Sequence, residues 1–128
     1  IVVDGMAKAI KNSKAKKLFV MNIMTRFRQT DGFSALDHIK EIEKYIGEGV
    51  INYCLINKNN ISKEAIGWYK KNDAAPVKDD LGISKKMKVI RKNVVSSKFY
   101  PKSKSDKLVR SFIRHDSNKL AKAVVDIL

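Results

Sequence analysis

Small polar side chains follow one short apolar run in the first third of the chain. Asn22, Thr25, Thr30 and Asp31 come soon after the apolar residues 18–21. Amide, hydroxyl and carboxylate groups of this kind can bind sugar hydroxyls and phosphate oxygens, and the N–H groups that open a following helix favour an anion. A plain turn uses similar residues. We therefore predict a ligand-binding loop, with an ordinary turn as the alternative.

The segments on either side of this loop indicate why it would bind a ligand. Residues 18–21 fit a buried parallel strand, and residues 34–47 carry apolar side chains at helical spacing. The loop then leaves the carboxyl end of a strand and enters a helix, the usual ligand position in α/β proteins. Ser34 and Asp37 have the spacing of a capping box, which gives Asp37 a structural alternative to ligand binding.

Helical and strand-like patterns alternate along the whole chain. This alternation predicts an α/β layer structure with a mainly parallel sheet, and Asp116 is placed to cap the last helix. The predicted helices are residues 3–13, 34–47, 62–71 and 117–128, and the predicted strands are residues 17–22, 52–57, 87–91 and 108–113, with a short strand near 76–78.

The polar loop and the helix after it resemble a motif of a known family. Members of the gluconeogenesis-factor branch of the YvcK/CofD-like family carry N-L-M-T-Q-x-G-E-T-D-G-F-x-x-x-D-H-[IV]. Later matches, in the same order, are residues 52–57, Tyr69 with 75–77, and 114–116 with 119–121. The matching positions of the first motif are Asn22, Met24, Thr25, Thr30, Asp31, Gly32, Phe33, Asp37 and His38.

This resemblance implies a fold and a domain organisation. It implies a Rossmann-like three-layer αβα fold of the CofD type. The length of 128 residues independently predicts a single domain, residues 1–128. Family members begin with a glycine-rich phosphate loop that this sequence lacks, so we expect the chain to be the carboxyl-terminal part of a longer protein. Residues 96–107 are lysine-rich and match no family motif, which predicts an insertion or loop.

One stretch departs from the family motif. Where the family has Q-x-G-E, residues 26–29 read Arg-Phe-Arg-Gln. A bulky cation, Arg28, replaces the glycine, and an amide, Gln29, replaces the carboxylate. A loop that needs a glycine with positive φ, or a negative charge facing a cation, would not work identically here.

The resemblance also implies ligand contacts outside the loop. Tyr69 and Arg114 match residues that look like contacts to a UDP-sugar in the regulatory branch. Together with Gly32 and Asp37 they complete the predicted ligand-binding set. Tyr69 has covering the core as its alternative, and Arg114 has an ion pair with Asp116 or Asp106.

Two functions follow from the resemblance. The first is a regulator that binds UDP-N-acetylglucosamine and links carbon supply to cell-wall synthesis and cell shape, with no required cofactor. The second is a CofD-like enzyme that transfers a phospholactyl-type group from a nucleotide donor with the help of Mg²⁺. Catalysis would need carboxylates for the metal, and Gln29 in place of the family's glutamate argues against it.

The net charge of +14 raises a third possibility, a nucleic-acid-binding protein. Of the 27 basic residues 22 are lysines, spread along the chain and not interleaved with aromatic residues. Readers of bases and phosphates favour arginine, so we expect solvated lysine faces and no nucleic-acid partner. An isolated carboxyl-terminal part would expose a packing surface, so we also expect pairing between copies.

Cysteine, histidine and hydropathy exclude several other classes. Cys54 is the only cysteine, so no disulfide framework is expected. His38 and His115 lack further ligands at metal spacing, which argues against a zinc site. No run is long enough to span a bilayer and no signal segment occurs, which predicts a cytoplasmic protein without membrane insertion.

Overall fold

The central element of the fold is a parallel sheet of three described strands. The computed structural model describes residues 3–58, 61–70, 73–97 and 113–127. The strands are β1 (Leu18–Val20), β2 (Tyr53–Asn57) and β3 (Lys88–Lys92), and they lie in the order β1-β2-β3. Both neighbouring pairs are parallel. The predicted parallel sheet is therefore confirmed.

The described residues form four helices beside the sheet, each somewhat shorter than predicted from the sequence. They are α1 (Met6–Asn12), α2 (Ala35–Ile46), α3 (Lys63–Lys70) and α4 (Ser117–Val125). In place of a strand at 76–78 there is a single antiparallel bridge between Met24 and Pro76. The strand predicted over 108–113 lies outside the described residues, apart from its last residue.

Side chains that alternate along the strands fill two layers. Phe19, Cys54 and Val89 point to the face covered by α1 and α2. Leu55 and its neighbours point to the opposite face, which α4 covers. This is the three-layer αβα arrangement. Burial raises the pKa of the Cys54 thiol to about 11, so it is a neutral core group at physiological pH.

Both predicted helix caps are confirmed. The Ser34 hydroxyl accepts from the Asp37 N–H, and the Asp37 carboxylate accepts from the Ser34 N–H, which is a complete capping box for α2. The Asp116 carboxylate accepts from the N–H groups of the second and third residues of α4. No helix in the described ranges is long and apolar enough to cross a membrane.

Candidate functional site

A cleft of about 380 Å³ lies where β1 and β2 end. Its polar lining consists of Asn22, Asn57 and Lys63, and the rest is mainly isoleucine, valine and proline side chains. The carboxyl ends of parallel strands meet at one edge of a sheet, so residues distant in sequence converge there. A cleft with mostly apolar walls and a few polar groups is the usual form of a small-molecule site.

The strands and helix α3 place the polar lining residues. The β1 ladder continues to Met21, whose N–H donates to the Leu55 carbonyl at 2.9 Å, and Asn22 is the next residue and is exposed. Asn57 is the last residue of β2, and Lys63 opens α3. Asn22 and Lys63 therefore line the cleft from two separate elements.

Thr25 forms hydrogen bonds that link the start of the loop to Ala75, 50 residues later in the chain. Its side chain is 7% exposed, its hydroxyl accepts from the Ala75 N–H at 2.9 Å, and its own N–H donates to the Ala75 carbonyl. Val77 likewise donates its N–H to the Ile23 carbonyl. Residues 23–25 and 75–77 thus run antiparallel from the cleft wall toward the polar loop. A ligand contact by Thr25 stays a prediction.

The next residues form a closed turn, the 26–30 loop. The Thr30 hydroxyl accepts from the Arg26 N–H at 2.8 Å, and the Thr30 N–H donates to the Arg26 carbonyl at 2.9 Å. Arg28 has a φ of 60°, so the position where the family motif has glycine keeps the left-handed backbone that favours glycine. Thr30 therefore has a clear structural role, and its ligand role stays a prediction.

Asp31 and Gly32 connect this loop to helix α2. Both are exposed, and Gly32 has a φ of 68°, a conformation that a residue with a Cβ rarely adopts. None of the ion pairs between described residues involves Asp31. The structure brings the two residues to the surface beside the 26–30 loop, and nothing in it tests ligand binding by either.

The sequence predicted that the N–H groups at the start of α2 would favour an anion. That prediction was wrong, because these groups already have acceptors within the protein. Ala35 donates to the Lys78 carbonyl, and Leu36 donates to the Asp80 carboxylate, each at 2.9 Å. The N–H groups of Asp37 and His38 donate to the hydroxyl and the carbonyl of Ser34. The hydrogen bonds from Ser34 lower the pKa of the Asp37 carboxyl, so this end of the helix also carries negative charge.

Tyr69 and Arg114 lie in different surroundings. Tyr69 is 6% exposed, and its hydroxyl accepts from the Ile113 N–H at 3.0 Å. It packs in one cluster with Ile23, which itself lines the cleft. Arg114 is exposed, and its carbonyl accepts from the Ser96 N–H. The structure thus places Tyr69 behind the cleft wall; ligand contacts by either residue stay predictions.

The two histidines each bond a backbone carbonyl. His38 is 5% exposed, its Nδ1 lies 2.8 Å from the Ser34 carbonyl, and its ring meets Phe33 edge-on. Burial lowers the pKa of His115, although its hydrogen bond to the Met21 backbone acts in the opposite direction. Within the part of the chain that the structure describes, no three His, Cys, Asp or Glu side chains are grouped as metal ligands.

Comparison with known proteins decides the family. Residues 1–100 match the sequence model of the family described as 2-phospho-L-lactate transferase CofD. The chain belongs to the CofD family. The gluconeogenesis factor of Bacillus subtilis is 31% identical over 130 residues, which cover 100% of this chain and 38% of that protein. A relative from Clostridium acetobutylicum is 33% identical over 128 residues, covering 100% of this chain and 26% of its own length.

A solved structure of a similar protein supports the fold. The crystal structure of a UPF0052 family member from Bacillus halodurans superimposes with a TM-score of 0.76 at 28% identity, covering 96% of this chain and 36% of that one. The chain therefore spans between about a quarter and two fifths of the length of these relatives. That it corresponds to their carboxyl-terminal part stays a prediction.

Sequence reasoning missed two of the three polar residues that line the cleft. Asn57 and Lys63 are absent from the predicted ligand-binding set, although the rule that selected Asn22, a polar residue where a parallel strand ends, also selects Asn57. Lys63 carried no such local signal, because only the folded position of α3 brings it to the cleft. Asn22 is the predicted residue that the structure places in the cleft lining.

Proposed function

We propose that this chain is the ligand-binding part of a gluconeogenesis-factor-type regulator that binds a nucleotide-sugar of the UDP-N-acetylglucosamine kind. The regulator would act in the cytoplasm, link carbon metabolism to cell-wall synthesis and cell shape, and need no cofactor. Relatives named gluconeogenesis factor support this reading over the full length of the chain. The observation that carries it is the cleft at the ends of β1 and β2.

The chemistry of the cleft suits a nucleotide-sugar. The amide of Asn22 can donate to and accept from sugar hydroxyls or the uracil edge, because an amide has both kinds of group. The Asn57 Oδ1 already accepts from the Val94 N–H at 3.3 Å, so Asn57 shapes the cleft wall. Lys63 supplies a positive charge for a phosphate, and the apolar walls suit a ring. A volume of about 380 Å³ falls within the ordinary range of small-molecule sites and is enough for part of such a ligand.

A phospholactyl-type transferase is the second candidate, because the matching family is described by that activity. Such an enzyme would hold Mg²⁺ through carboxylates. Asp31 is exposed in the right connection, whereas Asp37 already accepts two hydrogen bonds from Ser34. The carboxylates that could hold Mg²⁺ among the described residues are therefore few, which favours the regulator over the enzyme.

Calorimetric titration of the natural protein at its full length distinguishes the two functions. The ligands are UDP-N-acetylglucosamine, UDP and GDP, each with and without Mg²⁺ and at two salt concentrations. Uridine-selective binding that needs no metal supports the regulator. Guanosine preference that requires Mg²⁺ supports the transferase. Binding that disappears entirely at the higher salt, with no preference among bases, would point to the third reading, nucleic acid.

Substitutions in the cleft test whether this is the site. Asn22→Ala and Lys63→Gln should each weaken UDP-N-acetylglucosamine binding by about tenfold, the usual effect of losing one hydrogen bond to a charged or polar ligand group. Lys8→Gln makes the same charge change on α1, away from the cleft, and should leave affinity unchanged. Equal affinities for all three variants and the parent would rule out the cleft.

The remaining predicted contacts and partners need separate tests. Tyr69→Phe removes the hydroxyl that accepts from Ile113 and keeps the ring, and Arg114→Gln removes the charge without shortening the side chain much. If both residues contact the ligand, each variant loses affinity; Arg114→Gln should keep its thermal midpoint, whereas Tyr69→Phe also removes a buried acceptor and should lower it. Pairing between copies, which we also propose, is measured by light scattering of the same protein across a range of concentrations.

A further inference from the structure

The 26–30 loop is a fixed platform on the protein surface. Besides the two hydrogen bonds between Arg26 and Thr30, the Gln29 N–H donates to the Arg26 carbonyl at 3.0 Å. Three hydrogen bonds therefore close a turn of five residues. Phe27 and Arg28 lie at its tip, and the Phe27 side chain is 48% exposed. The turn holds an aromatic ring and a cation in water, where neither contributes to the core.

Arg28 occupies an unfavourable backbone conformation. Its φ of 60° lies in the left-handed region, which long side chains avoid because the Cβ crowds the following carbonyl. Glycine, asparagine or aspartate would meet that requirement with less strain. Strained residues of this kind concentrate at binding sites, where the surrounding structure holds them in place. The outlier therefore raises the question of what the arginine binds.

The guanidinium of Arg28 is held with its hydrogen-bond donors available. Its Cζ lies 5.2 Å from the centroid of the Phe27 ring, within cation–π distance. A guanidinium has five N–H donors, so one contact with a ring leaves others for a bidentate acceptor. Among the described residues, no ion pair involves Arg28 or Arg26. Two arginines thus stand near the carboxyl edge of the sheet, and no described carboxylate forms an ion pair with either.

Other polar groups of the same connection are already engaged. The first-turn N–H groups of α2 all have acceptors within the protein, and the carboxylates of Asp37 and Asp80 lie at that helix end. A diphosphate would be repelled there. The 26–30 loop carries the opposite charge, and the pairing of residues 23–25 with 75–77 connects it directly to the cleft wall.

Resting on the proposed function, we propose that Arg28, which lies over the Phe27 ring, binds the diphosphate group of the nucleotide ligand. The cleft then takes the rest of the ligand, and Arg28 shares the phosphate charge with Lys63. Arginine suits this role because its planar fork matches two phosphate oxygens at once. The inference names a residue that determines which ligands bind, since an uncharged nucleoside would gain nothing from it.

Two substitutions separate the charge of Arg28 from its backbone strain. Arg28→Asn and Arg28→Gly both remove the charge, and both tolerate a φ of 60°. Each should keep or raise the thermal midpoint of the full-length protein. Calorimetry should show UDP and inorganic diphosphate binding weakened by about tenfold to a hundredfold, with uridine binding unchanged. Lys8→Gln is the control for a lost positive charge elsewhere.

The outcomes distinguish this inference from the proposed function. If the parent binds UDP-N-acetylglucosamine and both Arg28 variants bind it equally well, the inference is overturned and the proposed function stands. If the parent binds inorganic diphosphate through Arg28 but no nucleotide-sugar, the phosphate site stands and the proposed function fails. If the parent binds neither UDP nor diphosphate, both are overturned.

Discussion

The two halves of the connection between β1 and α2 use their polar groups in opposite ways. In the first half, the 26–30 loop satisfies its own backbone and leaves two arginines and a phenylalanine exposed. In the second half, the start of α2 directs its N–H groups to Ser34, Lys78 and Asp80 and adds two carboxylates. The positive half is available to a ligand, whereas the helix end is already used by the protein.

This difference shows that a helix N-terminus after a strand is not by itself an anion site. Its N–H groups favour an anion only while they lack other acceptors. Here the 75–81 segment supplies two of those acceptors from more than 40 residues away. The local sequence around Ser34 predicts the cap correctly and gives no sign of the distant carbonyl and carboxylate.

The largest stability effect should come from Thr25, which links the first half of the connection to Ala75 by two hydrogen bonds. Thr25→Val removes the acceptor of the Ala75 N–H inside a mostly buried bridge and should lower the free energy of unfolding by about 1–3 kcal/mol. Thr30→Val is the matched control, because its hydrogen bond is exposed and water can replace the lost acceptor. Urea denaturation of both variants measures the difference. Equal losses would mean that the Ala75 bridge is not the anchor.

A smaller stability effect should come from Ser34, the N-cap of α2 in the second half of the connection. Ser34→Ala removes the acceptor of the Asp37 N–H and should cost about 1 kcal/mol, a typical loss for an N-cap. Ser117→Ala, at the first residue of α4, is the control and should change stability very little, since Asp116 supplies the cap there. Thermal and urea unfolding report both. A Ser34→Ala protein as stable as the parent contradicts the assigned capping box.

The smallest effect is a pH dependence of folding stability that arises from Asp79 in the 75–81 segment. The bidentate ion pair with Arg91 lowers the pKa of the Asp79 carboxyl below its ordinary value of 3.8. A lowered folded-state pKa stabilises the fold above the unfolded value, and that contribution is lost as pH falls through the folded one. The stability gap between the parent and Asp79→Asn should therefore narrow between pH 5 and about pH 3. A gap that widens toward low pH would contradict this sign.

Local signals predicted most of the fold. The alternating patterns predicted the helices and the three described strands, and the spacing of Ser34 with Asp37 and the position of Asp116 predicted two caps. The expected strand near 76–78 is only a bridge, because its partner is the irregular stretch at Met24. Periodicity cannot reveal such a pairing, which depends on contacts some 50 residues apart.

The candidate site was less predictable than the fold. Asn22 was found because a polar residue where a strand ends is a local signal. Asn57 and Lys63 join it only through the parallel pairing of β1 with β2 and the position of α3. The conformation of Arg28 follows from three hydrogen bonds in its own loop, and the family motif indicated only that a glycine is usual there.

Chemical-shift mapping of the full-length protein with UDP-N-acetylglucosamine is the most direct test of where the ligand binds. Titration should shift the amide signals of Asn22, Asn57 and residues 26–30, and leave those of residues 35–38 in place, because the first-turn N–H groups of α2 already have acceptors. A ligand that instead shifts residues 35–38 and leaves the 26–30 loop unchanged would contradict the account.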